Sequence, residues 1–112
     1  LLHADEKAGA ALPPEVMAGW MEKMNAFADA LRKAGAHVGH GALGLSTSAS
    51  IVSLDEEGEM RVEDGPFAET REQLGGYYLI RAKDLAKAQQ WAAKCPAAIW
   101  GHVEIRAVSD SD

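Results

Sequence analysis

Asp64-Gly65-Pro66-Phe67-Ala68-Glu69-Thr70-Arg71-Glu72-Gln73-Leu74-Gly75-Gly76-Tyr77-Tyr78 is the stretch that decides how this chain is read. It opens on turn chemistry: Asp64 is an Asx-type acceptor, Gly65 is free of Cβ strain, and Pro66 brings a fixed φ. Thr70 and Gln73 have the spacing of a capping box, which predicts one short helical turn starting at Thr70. Gly75 and Gly76 then release the chain into Tyr77-Tyr78-Leu79-Ile80, the best strand in the sequence by β-propensity. Ordered loops as long as Asp64 to Gly76 are uncommon unless they carry a function. Phe67 and Leu74 are its expected anchors in the apolar layer.

Working outward, Ser50–Leu54 and Glu59–Glu63 alternate and flank Asp55-Glu56-Glu57-Gly58, which predicts a hairpin. The segment His37–Leu45 is rich in glycine yet carries Val38, Ala42 and Leu43, the pattern of a bulged strand. Between Pro13 and Ala34, Met17, Trp20, Met24, Phe27, Leu31 and Ala34 recur at spacings of three and four. That stripe predicts an amphipathic helix, with Gly35 as its left-handed stop. Asp84 caps a second helix whose buried stripe is Leu85, Ala88, Trp91 and Ala92, and Pro96 ends it. Trp100–Val108 closes as a strand, with Val103, Ile105 and Ala107 alternating against His102, Glu104 and Arg106. Leu1-Leu2 reads as the tail of a clipped apolar strand, and Ser109–Asp112 as a frayed tail. The order is strand, helix, strand, hairpin, strand, helix, strand. It predicts one α+β domain over 1–112, a ferredoxin-like antiparallel sheet with two helices on one face.

The chain has 112 residues and 47% apolar content, enough for a single core. No apolar run is long enough to span a bilayer, and the lone Cys95 allows no internal disulfide, so the expected setting is cytoplasmic. Residues 55–72 hold eight acids against Arg61 and Arg71, a local charge of −6 that equals the charge of the whole chain. Such a field repels phosphates and argues against nucleic-acid binding.

Asp64 is the strongest acid candidate, since it stands where a strand meets the long loop. Desolvation beside Phe67 would raise it toward a general base, whereas acceptance of loop N–H bonds would leave it structural. His40, among glycines where a ligand can approach, is the candidate for proton transfer. Gly65, Pro66 and Phe67 shape the expected ligand-binding loop. Glu69, Arg71 and Glu72 form either a surface ion-pair cluster or a setting that aims Arg71 at a substrate carboxylate. Tyr77 and Tyr78 must point to opposite sides of the sheet, and so, in a regular strand, must His37 and His40. No metal-ligand spacing, phosphate loop or triad is present, so neither metal nor cofactor is expected.

The stretch from Asp64 to Tyr78 resembles, residue for residue, the signature of the YCII-related, or DGPF-domain, family. The likeness continues through Asp84-Leu85, Trp91-Ala92-Ala93 and Val103-Glu104-Ile105-Arg106, and through Leu1-Leu2-His3 at the family's first strand. The resemblance implies a dimeric α+β barrel, in which two ferredoxin-like subunits join their sheets around a cavity. It implies a homodimer with a small-molecule ligand near the Asp64–Phe67 loop and cofactor-free acid–base chemistry. The alternative it implies is a non-catalytic interaction module linked to an extracytoplasmic-function sigma factor. One branch of the family is suspected of chemistry through a His–Asp pair, for which this sequence has no clear equivalent.

Overall fold

The computed structural model describes residues 1–66 and 68–109, so the expectations for Phe67 and for the tail at 110–112 lie outside the described residues. The chain runs β1 (Leu2–Ala4), α1 (Glu6–Ala10), α2 (Pro14–Lys33), β2 (His37–Ala42), β3 (Ser50–Leu54) and β4 (Met60–Asp64). It continues through β5 (Gln73–Ile80), α3 (Leu85–Lys94), α4 (Ala97–Trp100) and β6 (Gly101–Val103). Four strands form an antiparallel sheet in the order β2-β5-β1-β6, the ferredoxin-like order with a hairpin inserted between its second and third strands.

Helix α2 forms where its apolar stripe predicts. Pro14 sits in the first turn, where no N–H is required, and Gly35 follows the C-cap at φ 69°. Helix α3 is capped by Asp84, which accepts from the Lys87 N–H at 2.8 Å. Both helices lie on one face of the sheet. Phe27 and Leu31 from α2 meet Trp91 on α3, with Ala36, Cys95 and Ala97, and Leu2, Tyr78, Ile80 and Val103 pack up from the sheet. Leu31 is fully buried. Burial pushes the Cys95 thiol up, as it does the Tyr78 phenol, so Cys95 behaves as a small core residue. The least dimension of the molecule is 18 Å, the depth of one helix layer on one sheet, and the other face of the sheet is open.

Several local expectations give way to pairing. The strand holding Tyr77 and Tyr78 begins at Gln73, so the loop spans only 65–72 and Gly75 and Gly76 are strand residues. Strand β5 is central, with β1 on one side and β2 on the other, and this double pairing extends it backward. Gly76 is needed there, since a Cβ would stand 2.9 Å from the Gly41 carbonyl oxygen. The helical turn expected at Thr70 does not form. Instead the Thr70 hydroxyl donates to the Glu72 carbonyl, and Gln73 Nε2 donates to the Thr70 carbonyl at 2.5 Å. A short 3-10 turn appears instead at Ser46–Ser48.

The hairpin β3–β4 forms in the expected register, with Val52 opposite Val62 and Leu54 opposite Met60. It makes its own two-stranded sheet rather than joining the main one. The closing strand is shorter than its alternation predicts, because its partner among the described residues, β1, offers three residues. Helices α1 and α4 carry too few residues to show a period, and the sequence does not predict either. Asp5 caps α1, accepting from the Ala8 N–H at 3.1 Å. Among the described residues no helix is long and apolar enough to cross a membrane.

Candidate functional site

Strands β1 and β6 pair so that His3 stands opposite His102, while Leu2 and Val103 turn into the core. Alternation therefore sends both imidazoles to the open face. Each meets a carboxylate. His3 Nε2 lies 2.9 Å from Glu104 Oε1, and His102 Nδ1 lies 2.6 Å from Glu72 Oε1. Arg106 Nε donates to the other oxygen of Glu104 at 2.6 Å. The Arg106 hydrogen bond, followed by that of His3, holds the Glu104 carboxyl below its usual range, so it is a firm anion.

His3, His102, Glu72 and Glu104 wall an open cleft of about 940 Å³, bordered also by Asp5 and Ala8 at α1, by Thr70 and Arg71, and by Trp100. Trp100 is fixed by stacking on Trp20, with ring centroids 4.3 Å apart. Arg71 is exposed and has no ion pair among the described residues, so the expected cluster with Glu69 and Glu72 does not form. Glu72 turns to His102 instead. A His whose one ring nitrogen is fixed on a carboxylate offers the other for proton transfer. For His102 that free nitrogen is Nε2, and for His3 it is Nδ1. The pattern joins two carboxylate-held imidazoles to a guanidinium that has no ion pair among the described residues.

A second, smaller hollow of about 430 Å³ lies beyond the 65–72 segment, between Leu43–Ala49 and Pro66, Ala68, Gln73 and Leu74. Thr70 borders both hollows. Glu6 pins the wall of the smaller one, with its carboxylate accepting from the Ser46 N–H and hydroxyl, each at 2.7 Å. Gln73 Oε1 in turn accepts from the Glu6 N–H at 2.9 Å.

The residues singled out from the sequence are not gathered in one place. Asp64 is exposed at the end of β4, opposite Ser50 in the separate hairpin. Gly65 (φ 91°) makes the turn that follows, its N–H donating to the Ala49 carbonyl at 2.9 Å. Pro66 lines the smaller hollow, and Glu69 is exposed. Arg71 and its neighbour Glu72 line the larger cleft. Tyr77 lies on the open face beside Gly41, and Tyr78 faces the helices, its ring edge-on to Phe27 at 5.2 Å. His40 lies on the helix side of β2, stacked on Tyr78 at 5.0 Å.

The alternation argument fails for His37 and His40. His37 pairs with Ile80 and Gly39 with Leu79, so Val38 is an extra residue, a bulge that shifts the phase by one. The two rings land on the same side, with His37 Nε2 and His40 Nδ1 2.8 Å apart. Desolvation, then the Arg32 guanidinium and His40, hold His37 below the ordinary imidazole range.

Sequence reasoning passed over His3, His102, Glu72 and Glu104 as a group. Half of the signal was present: alternation along 102–106 already puts His102, Glu104 and Arg106 on one polar face. The pairing that adds His3 and the turn that adds Glu72 are tertiary facts.

The architecture and this open-face site define an α+β protein of ferredoxin-like topology with the chemistry of its sheet left uncovered. Across residues 1–112 the chain matches the YCII-related domain, a family of dimeric α+β-barrel fold, and it belongs to that family. It is also similar to an uncharacterized protein of Rhizobium meliloti (strain 1021), with 46% identity over 48 residues. That match takes in 43% of this chain and 39% of the relative, so the likeness spans about two fifths of the relative's length.

Proposed function

We propose that the protein performs cofactor-free proton transfer on a small carboxylate-bearing molecule, bound in the open-face cleft of a homodimer. One observation carries the reading: two His–carboxylate pairs, on strands that are direct neighbours, converge with an unpaired arginine on one cleft. Arg71 orients the substrate carboxylate, for which a guanidinium fork is suited. His102, held at Nδ1 by Glu72, removes or delivers a proton through Nε2, and His3 with Glu104 serves as the complementary group. The acid–base roles expected of Asp64 and His40 pass to these residues in this reading. The apolar side chains Leu74, Tyr77 and Leu79 are each about two fifths exposed on β5, and a second sheet laid on the open face would cover them and seal the cleft from water.

The alternative, a binding module without catalysis, has one observation in its favour. Val52, Leu54, Met60 and Val62 line one side of the hairpin and are all more than half exposed.

The experiment is a screen of small mono- and dicarboxylates by ligand-observed NMR, with deuterium incorporation from solvent as the readout of proton transfer. The expected result is a carboxylate that binds the parent chain, exchanges a C–H, and keeps binding but stops exchanging in His102→Gln. Binding without exchange in the parent chain would support the module, and carboxylate binding undiminished in Arg71→Ala would remove Arg71 from the site.

A further inference from the structure

We infer that His37 and His40 form a chelating site for a divalent transition-metal ion that favours square-planar nitrogen ligation, Cu(II) above the others. It stands on the opposite face of the sheet from the carboxylate cleft and is independent of it. Residues three apart in a regular strand cannot share a ligand, because their side chains leave from opposite faces. The Val38 bulge removes that obstacle and sets the two imidazoles side by side.

The spacing is that of two ligands on one ion. His37 Nε2 and His40 Nδ1 are 2.8 Å apart. Two imidazole nitrogens in adjacent square-planar positions, each about 2.0–2.1 Å from the ion, stand about 2.9 Å apart, and at a tetrahedral angle about 3.3 Å. The observed separation is within reach of the planar arrangement, and the stability order of divalent ions places copper first for nitrogen donors. The ring centroids are 5.0 Å apart, so the two nitrogens face each other nearly head-on, and each ring tilts off that line to aim its lone pair at a shared ion. Stacking on Tyr78 limits the freedom of the His40 ring, which lowers the entropy lost on binding. His40 is exposed, so the ion and the waters completing its sphere have a clear approach.

Charge and protons also balance. In the free pair one of the facing nitrogens carries a hydrogen and donates to the other. A neutral imidazole holds its single proton on either nitrogen, so moving both protons to the far nitrogens, His37 Nδ1 and His40 Nε2, leaves two lone pairs for the ion with no net proton released. The nearby Arg32 guanidinium is engaged by Asp29 at 3.1 Å, which tempers its repulsion of a cation.

The test is Cu(II) titration followed by electron paramagnetic resonance, in a His3→Gln/His102→Gln background. That background removes the other two of the four histidines. The expected result is one Cu(II) per chain with hyperfine structure from two imidazole nitrogens. Adding either His37→Gln or His40→Gln then weakens binding by on the order of a hundredfold, as loss of one arm of a chelate does. A spectrum with one nitrogen, or two-nitrogen binding that survives removal of both His37 and His40, would overturn the assignment. NMR on the same His3→Gln/His102→Gln background provides the parallel measurement. Copper at less than one equivalent should broaden the ring signals of His37 and His40, and sharp signals from both would likewise overturn it.

Discussion

His3 and His102 face each other across the β1–β6 pair, and each is held by a carboxylate from outside that pair of strands. The two are not equivalent. His3 engages Glu104 through Nε2 and His102 engages Glu72 through Nδ1, so they present opposite ring nitrogens to the cleft. His102 is the more open, with 79% of its side chain exposed. His102→Gln should therefore leave stability within about 0.5 kcal/mol of the parent. Exchange of a bound carboxylate's C–H should fall at least about a hundredfold, which is the usual contribution of a positioned acid–base group. Solvent-deuterium incorporation and a thermal melt on the same preparation check both parts.

Glu104 supplies a pH dependence. Its carboxyl titrates below the ordinary carboxylate range because Arg106, then His3, hydrogen-bond the anion. A group whose pKa is lower in the folded state contributes stability that is present above its unfolded pKa. That stability is lost as pH falls through the folded value. Stability should thus decline as pH drops below about 4.5, and Glu104→Gln should show a shallower decline over the same window. Urea titrations at a series of pH values would show it, and equal slopes for the two chains would mean the hydrogen bonds are not kept in solution.

Gly101 pairs with Ala4 at the start of β6. A Cβ built on it would stand 1.9 Å from the His3 carbonyl oxygen, a backbone atom that cannot swing away. Gly101→Ala should cost about 3 kcal/mol or more, above the common range for overpacking, because relief requires separating the two strands. The same separation would pull His3 away from His102. Chemical denaturation gives the cost, and the imidazole NMR signals report the displacement.

The layout of the fold was legible because its long elements are periodic. The stripe Trp20–Met24–Phe27–Leu31 and the caps Asp84 and Gly35 are local facts, and each stands where the sequence puts it, while Met17 at the start of the stripe is exposed. What local rules miss is pairing. The start of β5 at Gln73 is set by neighbours on both sides, which override the capping-box spacing of Thr70 and Gln73. The bulge at Val38 is likewise a matter of register between β2 and β5, and it reverses the faces assigned to His37 and His40. Asp64, to which the long loop draws attention, is exposed at a hairpin end. The groups that wall the cleft of the proposed site come from residues 3, 72, 102 and 104, far apart in sequence.

The core offers a plain measure of how much the helix layer contributes. Leu31 is fully buried between Phe27, Trp91 and the sheet, in a core with few other large side chains. Leu31→Ala should cost about 2–5 kcal/mol, since the rigid rings around it cannot close the cavity. Val62→Ala, on the exposed side of the hairpin, should cost less than about 1 kcal/mol by comparison. A larger loss at Val62 than at Leu31 would mean that the hairpin is covered in solution and would favour the binding-module reading.

The last prediction is the assembly. One helix layer covers one face of the sheet, the molecule is only 18 Å deep, and Leu74, Tyr77 and Leu79 remain about two fifths exposed. A second copy laid sheet to sheet would bury them and roof the cleft, so light scattering should give twice the mass of the chain at micromolar concentration. Leu79→Glu places a charge in that layer without disturbing the core, since Leu79 alternates away from Tyr78 and Ile80. It should shift the mass to that of a monomer while far-ultraviolet circular dichroism stays unchanged, because a buried unpaired carboxylate is costly only in the dimer. A parent chain that is monomeric at these concentrations would contradict the assembly, and a Leu79→Glu chain that stays dimeric would place the interface elsewhere.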